Sequence, residues 1–480
     1  MSSEPKKVDR RKFIYAGLGA VALVAIGAAA YVAMNPPVVT QTVTTSTTVP
    51  TTSVVTTTSV ATTTLPVTVT TTKITGEIRI LDWSRRANDL YRDLTAKEFT
   101  PNTGIQVVWD TPPWSAYLDK NLATIVATTS PYDVIVNNTE WTLPAWVYAD
   151  KLLPLNSYIQ QSGLDLDDFL PGALSVVCYP PDKKIKPTGA YTDYKNGIFY
   201  GIPLWLDSTP LMWRTDFFKN AGITNPPTNN DEFLDYAIKL TGKGVYGYVF
   251  QGKPQAGQIY DAWFIFIWRW GTNVFDENLN PAFNTSEGIE ATQFFVDLLQ
   301  KYHVVPDGVI GYDHQAMLDF YKAGGAAMAQ PWGSGGSAIA TSPLGDVTSF
   351  SKAPYKKRIG ARAAGSALTI PKAAPHPDLA WKFIEWAVSK DVRMRVGPQV
   401  QVIRKSVLQT LKEGTLAWAV GQNCADPTIG LNPAIPNLVE VSDAISPYIN
   451  DALSGKISVK EALSKAEEDV KKVIQKIKVS

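Results

Sequence analysis

The chain has 480 residues, too many for one ordinary core, so two or more domains are expected. Lys plus Arg totals 45 and Asp plus Glu totals 44, a formal balance of +1 that argues against a nucleic-acid partner, whose phosphates call for a basic excess. The two cysteines, Cys178 and Cys424, cannot build a disulfide framework, and whether they form a single bridge is left open.

Residues 1–12 are polar and basic, with Lys6, Lys7, Arg10, Arg11 and Lys12. An uncharged run, Phe13 to Met34, follows, long enough to cross a bilayer, which takes roughly 20 apolar residues. The basic flank should stay cytoplasmic and send the remainder outside. Asp9-Arg10-Arg11-Lys12-Phe13-Ile14 suits a twin-arginine export signal and equally an ordinary signal or anchor. Residues 35–73 are mostly Thr and Val with spaced prolines; they cannot bury a face and read as an extended stalk open to O-glycosylation. A stalk directly after an apolar segment makes most sense if residues 1–34 are retained as an anchor.

The folded body starts near Gly76. Glu77 to Trp83 reads as a strand, Ala87 to Thr100 as an amphipathic helix, Ile105 to Trp109 as a strand, Tyr117 to Thr128 as a helix and Asp133 to Val136 as an apolar strand. That alternation is the grammar of an open α/β sheet with parallel strands. Ligands of such sheets sit beyond the carboxyl ends of the strands, which points at Trp83 to Arg85, at Trp109 to Trp114, and at Asn137 to Trp141 with Asn138 and Glu140. Asn137 and Asn284 head Asn-x-Ser/Thr sequons; Asn284, on a turn, is the better acceptor.

Asn196 to Arg214 holds two strand-like runs, Ile198 to Ile202 and Leu211 to Arg214. Pro203, Asp207 and Pro210 between them argue against one uninterrupted strand. Such a stretch fits a crossing between two lobes, with Trp205 and Asp207 in the break and facing a cleft, or a plain strand–turn–strand. The block resembles the family 1 extracellular solute-binding proteins, the maltose-binding-protein-like group that serves ABC importers. The resemblance rests on Gly197, Tyr200 to Pro203, Asp207, Ser208, Trp213, Arg214, Asp216, Phe217, Lys219, Ala221, Gly222, Pro226, Thr228 and Asp231 in order. It continues in Asp82 to Ser84, Thr103 to Val107 and Pro131 to Ile135, and it covers about residues 76–477.

From Phe250 to Trp270 aromatics are dense, and helical spacing puts Trp263, Phe266 and Trp270 on one face, either buried or, as the resemblance suggests for Trp263, bordering the cleft. Asp276-Glu277-Asn278 lacks the glycine and distant glutamate of a calcium loop and reads as a turn. The stretch from Asp313 to Gly335 is similar to a family phrase that ends on a cleft aromatic, here Trp332, and a close backbone approach, here Gly333. Gly333 to Gly336 is followed by no Lys-Ser/Thr, so a phosphate loop fails. Gly360 to Pro371 is a second candidate crossing and Pro398 to Val407 a third, with Arg404 as a cleft residue.

The resemblance implies an α/β, two-lobe periplasmic-binding-protein-like fold with three interlobe crossings. Lobe 1 would span 76–204 with 366–402, and lobe 2 would span 205–365 with 403–480. It implies a monomeric receptor on the outer face of the cytoplasmic membrane that delivers a sugar or oligosaccharide to an ABC transporter permease, without cofactor or metal. Trp83, Trp141, Trp205, Trp263 and Trp332 would stack on sugar rings; Asn138, Glu140, Asp207 and Arg404 would hydrogen-bond hydroxyls, with Gly333 close by. The three histidines, His303, His314 and His376, have no metal-ligand spacing. A glycoside hydrolase using Glu140 and Asp207, or a stalked receptor for a peptide or another solute, are the alternatives.

Overall fold

The computed structural model of the chain describes residues 76–478 apart from 256 and 400. The anchor expected at 1–34 and the stalk expected at 35–73 lie outside the described residues. Among the described residues no helix is long and apolar enough to cross a membrane.

The first three strands are β1 (Gly76–Leu81), β2 (Ile105–Asp110) and β3 (Val134–Asn138). Helices join them, so β1 pairs in parallel with both neighbours. Two short strands follow, β4 (Cys178–Tyr179) and β5 (Ile198–Phe199), then β6 (Ile202–Ser208) and β7 (Leu211–Arg214). The remainder are β8 (Tyr246–Val249), β9 (Ala326–Ala329), β10 (Thr348–Ser351), β11 (Arg362–Thr369) and β12 (Gly430–Leu431). One sheet runs β12-β11-β3-β1-β2, with β6 on the other side of β11. A second runs β10-β7-β9-β8.

The expected break between Ile202 and Leu211 is smaller than the prolines suggested. β6 runs without interruption through Trp205 and Asp207, antiparallel to β11. The register slips once: Ser366 faces Trp205, Ala367 faces Pro203, and Leu204 is the extra residue. This bulge accommodates a proline that has no N–H to donate. Trp205 and Asp207, two apart on a strand, therefore share one face. The break is confined to Thr209 and Pro210, between β6 and β7.

Each sheet carries its own core. Ile78, Ile80, Val134, Val136, Leu206 and Leu368 belong to the first; Met212, Phe233, Trp263, Phe295, Met328 and Leu453 belong to the second. The described residues thus form a two-lobe α/β fold, crossed three times. Leu206 lies in the first core and Leu211 in the second; Phe350 lies in the second and Ala353 in the first; Ala434 lies in the first and Ile435 in the second. The second passage corrects the expectation of a crossing at Gly360 to Pro371, a stretch whose Ala361, Ala363, Leu368 and Ile370 all pack in the first core because it forms a central strand of the first sheet. The last corrects the expectation of a crossing at Pro398 to Val407. Val402, Ile403, Val407 and Leu408 pack into the first core, and so do Ile429 and Leu431, because this apolar run covers the first sheet before the chain leaves it. From Leu438 the helices Leu438–Leu453 and Val459–Lys478 close the second core.

Candidate functional site

β3 ends at Asn138, and the next residues turn sharply. The Asn138 Oδ1 accepts the N–H groups of Glu140 and Trp141, both at 3.0 Å, an Asx turn that aims the two side chains. Thr139 locks the turn to β11: its N–H donates to the Gly365 carbonyl and its Oγ1 accepts from the Gly365 N–H, both at 2.9 Å. On β6, which lies across β11 from β3, Trp205 and Asp207 share one face of the strand.

The second core contributes from two helices. Helix Gly333–Ala340 starts at Trp332, and its first N–H groups meet Asp207. Asp207 Oδ1 accepts from Ser208 N at 2.8 Å and Gly333 N at 3.0 Å, and Oδ2 from Ser334 N at 3.1 Å. A Cβ at Gly333 would stand 2.2 Å from Asp207 Oδ1, so only glycine permits this approach. Helix Ile259–Arg269 is buried on all sides and contributes Asp261, whose Oδ2 accepts from Trp332 Nε1 at 3.1 Å.

Between these parts lies Arg362, the first residue of β11 and buried. Its Nη2 donates to Glu140 Oε2 at 2.5 Å, and its Nη1 is paired with Asp261 Oδ1. Its Cζ sits 4.9 Å from the centroid of the Trp332 ring. Burial works against the Arg362 charge, but Asp261 and Glu140 outweigh it and raise the pKa. Burial pushes Glu140 up to about 7, opposed by Arg362. Burial likewise pushes Asp207 up to about 7, against the three N–H donors that favour its charged form.

These side chains surround one cavity of about 350 Å³, lined by Asn138, Glu140, Trp141, Trp205, Asp207, Gly257, Gln258, Asp261, Trp332, Ser334, Arg362 and Ala364. Its walls come from both cores. Trp141 is the most open of the three indoles, 38% exposed, and Trp205 Nε1 has no hydrogen-bond partner among the described residues. Six residues singled out from sequence meet here: Asn138, Glu140, Trp141, Trp205, Asp207 and Trp332. Gly333 stands directly behind Asp207. Trp83 sits one layer back, its ring centroid 6.2 Å from that of Trp205, with the Arg85 guanidinium over both rings.

Two expected site residues are elsewhere. Trp263 is fully buried in the second core, where its Nε1 donates to Thr292 Oγ1 at 2.8 Å. It lies two residues past Asp261, about 200° around the helix, so one side chain reaches the cavity and the other faces inward. Arg404 pairs with Asp168 at 3.0 Å, donates to the Val388 carbonyl and covers Phe169, in a separate groove on the first core. It stays there because residues 402–408 remain with that core. The sequence reading passed over Asp261 and Arg362. The available signal was a lone acid in an aromatic helix and a lone arginine in a strand of small residues, since a buried charge must be paired.

A cavity with three indole planes and a floor of acceptors can hold an apolar ring face and bind hydroxyl donors. A family model for bacterial extracellular solute-binding proteins matches residues 86–394, more than half of the chain. A binding protein of Brucella abortus (strain 2308) is 23% identical over 428 residues, covering 83% of this chain and 94% of that one. The mannitol-binding protein of Pseudomonas aeruginosa is 28% identical over 203 residues, covering 40% of this chain and 46% of that one. An ABC transporter solute-binding protein of Thermotoga lettingae, solved with α-D-tagatose bound, superposes with a TM-score of 0.66 at 23% identity, covering 83% of this chain and all of that one. The matched span, together with two cores that flank one cleft, places the chain in the bacterial extracellular solute-binding protein family.

Proposed function

We propose that the chain captures a sugar or a related polyol in the cleft and delivers it to the permease of an ABC importer. The observation that carries this reading is the convergence of Trp141, Trp205 and Trp332 with Glu140, Asp207 and Asp261 on one cavity built by both cores. A sugar ring has an apolar C–H face and a rim of hydroxyls. The indoles match the face and the carboxylates match the rim. The mannitol of the Pseudomonas relative and the tagatose of the Thermotoga neighbour are both polyhydroxylated and of six carbons, in keeping with this cavity. Ligand that touches both halves shifts the hinge toward the closed form, which the permease then receives. The apolar run from Phe13 to Met34 and the Thr-rich stretch after it would hold the receptor at the outer face of the membrane.

A thermal-shift screen of polyols, monosaccharides, oligosaccharides, peptides and inorganic anions tests the reading, since a ligand that binds only the folded state raises the melting temperature. A sugar or polyol is expected to give the largest shift and to be recovered unchanged. Trp141→Ala should then weaken that ligand at least about tenfold, about 1.4 kcal/mol, with the fold intact. A response confined to peptides or anions would overturn the reading.

A further inference from the structure

We infer that the cavity selects by charge: it takes uncharged, hydroxyl-rich ligands and refuses their acidic counterparts such as uronates and aldonates. This rests on the sugar reading above and narrows it. Four charged residues line the cavity, three acids (Glu140, Asp207 and Asp261) and one base, Arg362. None is more than 7% exposed. Lysine and histidine are missing from the lining.

The one guanidinium is already committed. Arg362 is held in ion pairs by Glu140 on one side and Asp261 on the other. Its Nε and Nη1 make no hydrogen bond among the described residues but are buried out of reach, so an incoming carboxylate finds no accessible free cation among those residues. The next base, Arg85, lies behind the Trp205 ring and donates to Asp82 at 2.7 Å. The remaining side-chain donors among the lining residues are neutral: Asn138, Gln258 and Ser334. The backbone N–H groups of Gly333 and Ser334, which a helix N-terminus could offer an anion, are spent on Asp207.

Acceptors, by contrast, are in surplus. Each carboxylate oxygen can accept two hydrogen bonds, and Asp207 Oδ2 receives one, from Ser334 N, with the Gln401 side chain also close to the carboxylate. A ligand hydroxyl can supply the second. Above about pH 8, where Asp207 and Glu140 are both ionised, a ligand carboxylate in its place would set like charges together in a poorly hydrated site. Asp207, Glu140 and Asp261 are thus specificity-determining residues as well as binding ones.

The test is titration calorimetry at about pH 8.5, where Asp207 and Glu140 are ionised, with matched pairs: D-mannitol with D-mannonate, D-glucose with D-glucuronate, and D-xylose with D-xylonate. The expected result is that at least one neutral member binds and its acid binds at least tenfold more weakly. Asp207→Asn should narrow that ratio, because it removes one charge and keeps the shape. Glu140→Gln serves as a second variant should Asp207→Asn fold poorly. An acid that binds as tightly as its neutral partner overturns the charge selection and leaves the sugar reading standing. A ratio unchanged in the folded variants also overturns it, since the refusal would then be steric. Binding by no member of any pair, neutral or acidic, removes the sugar reading and this inference together.

Discussion

At the scale of single residues, the junction of Asp207 with Gly333 is the most constrained point of the site. Gly333→Ala would drive a methyl into Asp207 Oδ1 and disturb the Val420 side chain, 2.9 Å from the added atom. Overpacking of this kind costs about 1–3 kcal/mol, so urea unfolding should show a loss in that range and calorimetry a weaker ligand. Asp207 also makes binding depend on pH. Its pKa is pushed up to about 7 by burial, so it gives up its proton near neutrality. A ligand hydroxyl donates more strongly to the charged carboxylate than to the neutral acid. Affinity should therefore rise from about pH 6 to about pH 8 and fall as pH drops back through the same window. Asp207→Asn should remove the Asp207 part of that dependence, leaving whatever Glu140 contributes. Asn137 shows a different lesson. Its sequon is intact, but the side chain is buried and donates to Thr369 Oγ1 at 2.9 Å while accepting from Asn121, so the amide is sealed inside the first core.

At the scale of elements, patterns that depend on near neighbours were readable and those that depend on distant partners were not. The alternation of apolar strands with amphipathic helices marked β1, β2 and β3 within a few residues of their observed ends. The rule that ligands gather beyond strand ends led to Asn138, Glu140 and Trp141. Trp263 went astray because helical spacing says which residues share a face but not which face meets the cleft. Asp261 and Arg362 were missed because they are 101 positions apart in sequence and pair only in the fold. Helix Asn230–Leu240 offers a check on local reading. Asn229 caps it, accepting from Asp231 N at 3.1 Å and Glu232 N at 2.9 Å, while Glu232 reaches back to Thr228 N at 2.8 Å. Asn229→Ala should cost about 1 kcal/mol in denaturant unfolding. It should leave ligand affinity unchanged, because the cap does not line the cavity.

At the scale of the whole molecule, the question is what holds the two cores in register around the cleft. Packing cannot do it alone, since the cleft is where packing stops. Arg362 is placed to contribute: it stands on the strand that returns from the second core, and it bonds Glu140 beside the first core and Asp261 in a helix of the second. One guanidinium fork thus spans the cleft floor, a geometry that a planar, permanently charged group suits and an ammonium does not. Arg362→Met removes the fork and leaves two buried carboxylates facing each other. Breaking a buried pair costs about 3–5 kcal/mol, so a drop of that order is expected in unfolding free energy. Arg362→Lys keeps the charge but can serve only one partner well, and it should fall between wild type and Arg362→Met. The two variants also report on the hinge. In small-angle scattering without ligand, wild type should have the smallest radius of gyration and Arg362→Met the largest, because repulsion between Glu140 and Asp261 pushes the halves apart. Saturating sugar should bring wild type and Arg362→Lys to the same closed value. If Arg362→Met instead stays as compact as wild type while losing stability, the arginine stabilises the fold without setting the hinge, and closure must be governed by the Asp207–Gly333 contact.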